Sequence, residues 1–207
     1  LVNTYNKQTT SGARQTGGYQ AFVNSGDTCV FKGAFTATST PNVGTSVITV
    51  ASGAAKAALA LTDIDSVMQK IYENGGSATR IMVSPKLRRD FSDLMVSDTG
   101  VRRNIDEDGK LRQSVDVYMS DFGDLMVVPN YIMGLAHTTT DATTTQFDAA
   151  DSAALIYDPQ WFAMATLRPM QEVEVGQKGD STVGMFVEEW SLEVKNPKGC
   201  GAIYGLA

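Results

Sequence analysis

Apolar residues first recur with a clear period between Thr62 and Gly76, in TDIDSVMQKIYENGG. Ile64, Val67, Met68, Ile71 and Tyr72 fall at i, i+3, i+4, i+7 and i+8, which is one face of a helix. Thr62 is placed to cap the first turn, Asp63 and Asp65 suit its positive end, and Gly75-Gly76 supply the stop. The pattern predicts a helix over 62–76. Arg80 to Val83 then reads as a short strand. Ser84-Pro85 places a capping hydroxyl before a proline at the first helical position. Leu87, Phe91, Leu94 and Met95 carry a second helix that ends near Met95.

Between Val115 and Pro129 the period shortens. VDVYMS, a turn at Asp121-Phe122-Gly123-Asp124 and LMVVP give a hairpin. Three further strand-like runs follow at Ala153–Tyr157, Trp161–Leu167 and Val183–Val194. In the last of these, Phe186, Glu188, Trp190 and Leu192 share one side, and Val187, Glu189, Ser191 and Glu193 the other. Neither side is cleanly apolar, so this strand is expected to be covered on both faces or exposed at a sheet margin. Stretches 33–58 and 134–152 are rich in Thr, Ser, Ala, Gly and Asp and read as loops or polar hairpins, the first around the β-like run Ser46–Val50. Residues 97–112 are polar and turn-rich. Helices in the middle with antiparallel strands around them predict an α+β architecture, and no repeat period is visible.

Composition adds limits. The 207 residues are 43% hydrophobic and 19% charged, ordinary for a globular protein with a core, and carry a formal net charge of −6. That balance argues against a dedicated nucleic-acid binder, whose footprint is basic. Cys29 and Cys200 make neither a CxxC motif nor a disulfide framework, in keeping with a reducing cytoplasm during synthesis, although a single bridge between them stays open. No apolar run approaches the ~18–20 residues of a membrane helix. No basic-plus-apolar stretch opens the chain, so no leader is expected.

Catalytic chemistry finds little to build on. The one histidine, His137, lies in the Thr-rich stretch and reads as a solvated loop residue. Asp121-Phe122-Gly123 matches a kinase metal-binding triplet, but the companion motifs are absent and the hairpin turn accounts for it. Asp106-Glu107-Asp108-Gly109 lacks the ligand alternation of a calcium loop, and GARQTGG (12–18) lacks the lysine of a phosphate cradle. No catalytic, cofactor-binding or metal-binding residue is expected. Lys86, Arg88, Arg89, Arg102 and Arg103 are either a weak DNA-contacting patch or, more simply, a solvated face that pairs with Asp90 and Asp93.

Taken in order, these segments resemble the major head proteins of podovirus-like phages related to phage SU-ten, a branch of the capsid lineage named after phage Hong Kong 97. The residues that carry the likeness are TDIDSVMQKIYENGG followed by ATRIMVSPKLRRDFSDLM, then VDVYMSDFGDLMVVPNYIM, ALIYDPQWFAMATLRPMQ and GQKGDSTVGMFVEEWSLEVKNPKGCGAIYGL. They span 60–132 and 153–207, whereas 33–58 and 134–152 fit less well and look like variable insertions.

The resemblance implies an α+β subunit of the Hong Kong 97 type. Residues 1–20 would be the end of a spine helix and a connector of the peripheral domain, 21–168 the axial domain, and 169–207 the C-terminal strands of the peripheral domain. The N-terminal arm, the extended loop and most of the spine helix would lie upstream of Leu1. It further implies a structural role without catalysis, as a capsid protein that self-assembles into the icosahedral head around double-stranded DNA. The expected partners are itself, as hexamers and pentamers, with a scaffolding protein, a portal and a decoration protein. DNA would be contacted non-specifically and membranes not at all, with assembly in the bacterial cytoplasm. No motif supports covalent crosslinking or self-cleavage. Candidate inter-subunit contacts are Arg88, Arg89, Glu188, Glu189, Trp190 and Lys195. The competing readings are a head-decoration or adhesin-type binding domain, favoured by the Thr-rich loops, and a small carboxylate enzyme, which needs a pocket.

Overall fold

The computed structural model describes residues 18–23, 27–32, 35–37, 48–50, 57–98, 116–134, 153–179 and 181–206. The elements in chain order are α1 (Tyr19–Phe22), β1 (Cys29–Phe31), β2 (Phe35–Ala37), β3 (Ile48–Val50), α2 (Leu61–Glu73), β4 (Arg80–Val83), α3 (Pro85–Asp98), β5 (Val117–Ser120) and β6 (Gly123–Pro129). After these come β7 (Ala153–Tyr157), β8 (Phe162–Lys178), β9 (Ser181–Val194) and β10 (Gly201–Tyr204), with short 3-10 turns between some of them. Six strands make one mixed sheet in the order β1-β10-β7-β4-β6-β5. The β1/β10 and β4/β6 pairs are parallel and the others antiparallel. Strands β2 and β3 form a small antiparallel pair, and β8 with β9 a separate long hairpin.

The alternation of side chains across this sheet builds two cores. One face carries Val30, Ile203, Ala154, Ile156, Ile81, Val83, Val127 and Leu125, and packs under the apolar stripes of the two long helices, Ile64, Val67, Met68, Ile71, Leu87 and Phe91. Burying each such side chain contributes about 1.5–3 kcal/mol, against about 1 kcal/mol for a helix cap, so packing rather than capping holds α2 in place. The other face carries Cys29, Ala202, Tyr204, Ala153 and Leu155, covered by Tyr19, Val23 and Met133. Around this second core sit Phe31, Met82, Tyr157, Trp161 and Phe162. At the β5–β6 margin the same face is open, with Met119 77% exposed.

Two tyrosines tie the N-terminal segment to the sheet. The Tyr19 hydroxyl donates to the carbonyls of Ile156 (2.9 Å) and Gly201 (2.8 Å), and the Tyr204 hydroxyl donates to Val23 O (2.7 Å). Gly201 lies where β10 passes closest to its neighbours: an added Cβ would meet Thr28 O at 2.4 Å and Val67 Cγ1 at 2.6 Å. Only a residue without a side chain fits there.

Helix α2 begins one residue earlier than the pattern indicates, and Ala60, not Thr62, is its N-cap. An alanine cannot accept, so the carboxylate of Asp63 reaches back to Ala60 N (2.9 Å) and also binds Lys32. At the other end Gly75, at φ +76°, takes the left-handed position, with Gly75 N donating to Tyr72 O and Gly76 N to Ile71 O. Tyr72, expected on the buried stripe, is 64% exposed and lies against Phe122. Ser84 caps α3 through Leu87 N (3.3 Å). The β5–β6 hairpin turns at Asp121-Phe122 as the sequence indicates.

The boundary expected at 168/169 falls inside β8, and Gly201–Tyr204 pairs between β1 and β7 in the main sheet. Both cysteines are free and buried. His137, Arg102, Arg103, residues 106–109, residues 1–17 of the expected spine-helix end and connector, and nearly all of the two Thr-rich stretches lie outside the described residues.

Candidate inter-subunit surface

Strands β8 and β9 extend about 50 Å at ~3.3 Å per residue. The hairpin is held at its base. The Phe162 ring stacks on Tyr19 with centroids 5.4 Å apart and meets Tyr157 edge-on at 5.9 Å, and Lys195 N donates to Trp161 O. Beyond that point no described element of the subunit pairs with either strand.

The pairing of the two strands shows where the apolar positions of 183–194 pass from one side to the other. Near the base, Phe162 faces Val194, Met164 faces Leu192 and Thr166 faces Trp190 on one side, while Ala163 faces Glu193 and Ala165 faces Ser191 on the other. The pairing then shifts between Thr166 and Arg168 and again between Arg168 and Gln171. Past these shifts the apolar pairs change sides: Gln171 faces Val187 and Val173 faces Met185, whereas Glu172 now faces Phe186. Each shift places one extra residue on β8 and increases the local twist, the two together leave every side chain on its original side, and Pro169, which has no N–H, sits within the second. Leu167 (78% exposed), Phe186 (67%), Met164 and Met170 stand in solvent around the crossover.

Beside the bulge lies a concavity of about 670 Å³ lined by Thr166, Leu167, Glu188, Glu189 and Trp190, among others. The Arg168 guanidinium crosses the strands to Glu189 at 3.1 Å. Nothing in this hollow is arranged as nucleophile and base. Among the described residues, no group of three or more His, Cys, Asp or Glu could hold a metal ion, and no helix is long and apolar enough to cross a membrane. The displaced titrations belong to the cores. Burial pushes Tyr19 and Tyr204 well above the usual phenol range, Cys29 up to about 12 and Cys200 up to about 11. Burial and the Asp65 carboxylate raise Tyr118 to about 12. Thiols and phenols held this way are protonated near neutrality and are poor nucleophiles.

The SU10 major capsid protein family model matches residues 1–207. The chain belongs to the SU10 major capsid protein family. It is a structural component of the virion capsid and not an enzyme. No curated protein matches it. The crystal structure of a virus-like particle from Pyrococcus furiosus is similar at 14% identity with a TM-score of 0.34, over 72% of this chain and 55% of that one. The chain thus spans little more than half the length of that protein.

In a capsid protein the hairpin is a surface of interest, and the structure gathers part of the candidate set on it. Glu188, Glu189 and Trp190 lie together at the bulge, with Trp190 41% exposed, and Lys195 follows β9 at the base. Arg88 and Arg89 sit apart from them, on α3. Arg88 is engaged inside the subunit, its guanidinium 2.9 Å from Asp116, while Arg89 is exposed. Sequence reasoning missed Leu167 and Met170. The available signal was Pro169 between them, which marks an interruption in a strand and hence a bulge.

Proposed function

We propose that this capsid protein builds an icosahedral head of the Hong Kong 97 type, and that hairpin β8–β9 is one of its contacts with neighbouring subunits. The observation that carries this reading is the hairpin itself. A two-stranded ribbon is marginally stable alone in water, and this one carries exposed Leu167, Met170 and Phe186 far from either core. Covering each of these side chains against a neighbour is worth up to about 1.5–3 kcal/mol, enough to matter when every subunit makes several such contacts. In this reading the sheet with α2, α3 and β10 is the axial body, and the hairpin belongs to the peripheral domain. Subunits form hexamers and pentamers, with scaffolding protein, portal and decoration protein as further partners, and DNA is enclosed without sequence-specific contact.

The test is assembly of the full-length gene product, read by sedimentation and electron microscopy. Wild-type protein should give hollow shells. Leu167→Ser combined with Met170→Ser should keep the native circular dichroism and thermal transition yet sediment as capsomers or monomers. Wild-type protein that stays monomeric across salt and scaffold conditions refutes the shell reading. A double variant that assembles like wild type removes the hairpin from the contact.

A further inference from the structure

We infer that the Phe186 side of the hairpin docks on the Lys86–Arg89 flank of helix α3 in a second copy of this chain. The inference rests on the shell reading above and names the two surfaces that meet.

Charge supplies the first argument. Lys86 and Arg89 are exposed and three residues apart on α3, so they share one flank with Cβ atoms ~5–6 Å apart. Lys32, Arg88 and Arg168 are each paired inside the subunit, with Asp63, Asp116 and Glu189. Among the described residues, neither Lys86 nor Arg89 has such a partner. The hairpin offers the complement. Glu172 lies opposite Phe186, and Glu188 is two residues along β9 on the same side. Both carboxylates are exposed and, among the described residues, unpaired. Same-side diagonal neighbours on paired strands lie ~7–8 Å apart, a spacing that two long cationic side chains three residues apart on a helix can span. Phe186, 67% exposed, neighbours both acids, Glu172 across the strands and Glu188 along β9, and the aliphatic stems of Lys86 and Arg89 would cover its ring.

Topology supplies the second. Helix α3 packs through Leu87 and Phe91 on the sheet face that carries Ile81, Val83 and Val127. The hairpin base, through Trp161 and Phe162, packs on the opposite face with Leu155 and Tyr204. The two complementary surfaces therefore issue from opposite sides of one sheet, which directs their pairing to a neighbour. A contact between two different patches of identical subunits is heterologous, and repeating it closes a ring when the rotation allows. That is the geometry a capsomer requires.

The experiment uses the full-length gene product. Arg89→Glu with Lys86→Glu, and separately Glu188→Lys with Glu172→Lys, should each lower the yield of sedimenting particles by about tenfold or more, because like charges then face each other. Combining all four reversals should restore the yield. As a second measurement free of charge reversal, Arg89→Cys protein mixed with Glu188→Cys protein should form a disulfide-linked pair on mild oxidation. Cys29 and Cys200 are buried and should not compete. Wild-type shells together with neutral reversals and no crosslink overturn this contact while leaving the shell reading intact. Failure of the wild type to assemble defeats the shell reading itself.

Discussion

Removing one oxygen atom, in Tyr19→Phe, isolates the link between the N-terminal segment and the sheet. The Tyr19 hydroxyl hydrogen is shared between Ile156 O and Gly201 O, at 2.9 and 2.8 Å, and those two residues face each other across β7 and β10. Phenylalanine keeps the ring against Phe162 and Tyr157, so only the polar link is lost. One net hydrogen bond is worth about 0.5–1.5 kcal/mol, and leaving buried acceptors less satisfied raises the cost toward about 1–3 kcal/mol. Tyr19→Ala removes the ring as well, and losses of that kind run to about 3–5 kcal/mol. Urea unfolding of the dissociated subunit, followed by far-ultraviolet circular dichroism, should rank wild type above Tyr19→Phe above Tyr19→Ala with an unchanged m value. Equal stability of all three would show that α1 is not docked on the sheet. A Tyr19→Phe variant within a few tenths of a kcal/mol of wild type, beside a strongly destabilised alanine variant, would show that the ring alone holds the segment.

Two other predictions follow from the cores. Gly201→Ala should destabilise by about 2 kcal/mol or more in the same urea assay, since its Cβ would meet Thr28 O at 2.4 Å and overpacked sites rarely relax fully. A variant as stable as wild type would mean that β1 and β10 are not locked together. Alkaline pH should destabilise through the buried thiols. Their folded pKa values, about 12 for Cys29 and about 11 for Cys200, lie above the ordinary 9.0, so the unfolded chain loses these protons first. Stability is therefore whole below pH 9 and falls as pH rises from there through the folded values. At pH 10 the loss is about 1 kcal/mol per thiol. Replacing both cysteines by alanine should flatten the fall between pH 8 and pH 10, measured against each protein's own value at pH 8, and an unaltered slope would count against burial of the thiols.

The parts of this fold that are readable from sequence are those whose signal is local. Helix α2, strand β4, helix α3 and the β5–β6 hairpin each declare themselves within about fifteen residues, through a period and its end signals. Even there, geometry refines the reading. At about 100° per residue Ile71 lies about 20° from Ile64 around the helix, whereas Tyr72 lies about 80° away, at the edge of the stripe, and is exposed. Strands β1 and β10 were not legible, because three or four residues carry no period and their stability comes from a pairing, Cys29 with Ala202, between distant parts of the chain. The hairpin was half legible. Its second strand showed a mixed pattern that belongs to its own sequence, with apolar residues at even positions near the base and at odd positions beyond, whereas the two bulges lie in β8 and reside in the register between the strands. Of the candidate contacts, Glu188, Glu189 and Trp190 came together because they are consecutive. Arg88 looked equally free in sequence, and only the fold brings Asp116 to it.

The crossover in the hairpin bears on how such a subunit stays soluble before assembly. A long exposed ribbon with an unbroken apolar side would pair with any other edge it met, which is the usual hazard of uncovered strands. Here the apolar positions are divided between two sides, one near the base and the other beyond the bulges, and Glu172, Glu188, Glu189 and Glu193 interrupt each of them. A random encounter therefore buries carboxylates together with Phe186 or Met185 and gains little. An encounter that supplies cations at the matching spacing covers the same side chains without stranding a charge. Specificity then comes from the acids and binding strength from the apolar residues. The exposed ion pairs would also be weakened by salt at Debye lengths shorter than about 10 Å. In the proposed contact this division would make each interaction weak enough to be revised during assembly, while their sum around a closed ring would hold the shell together.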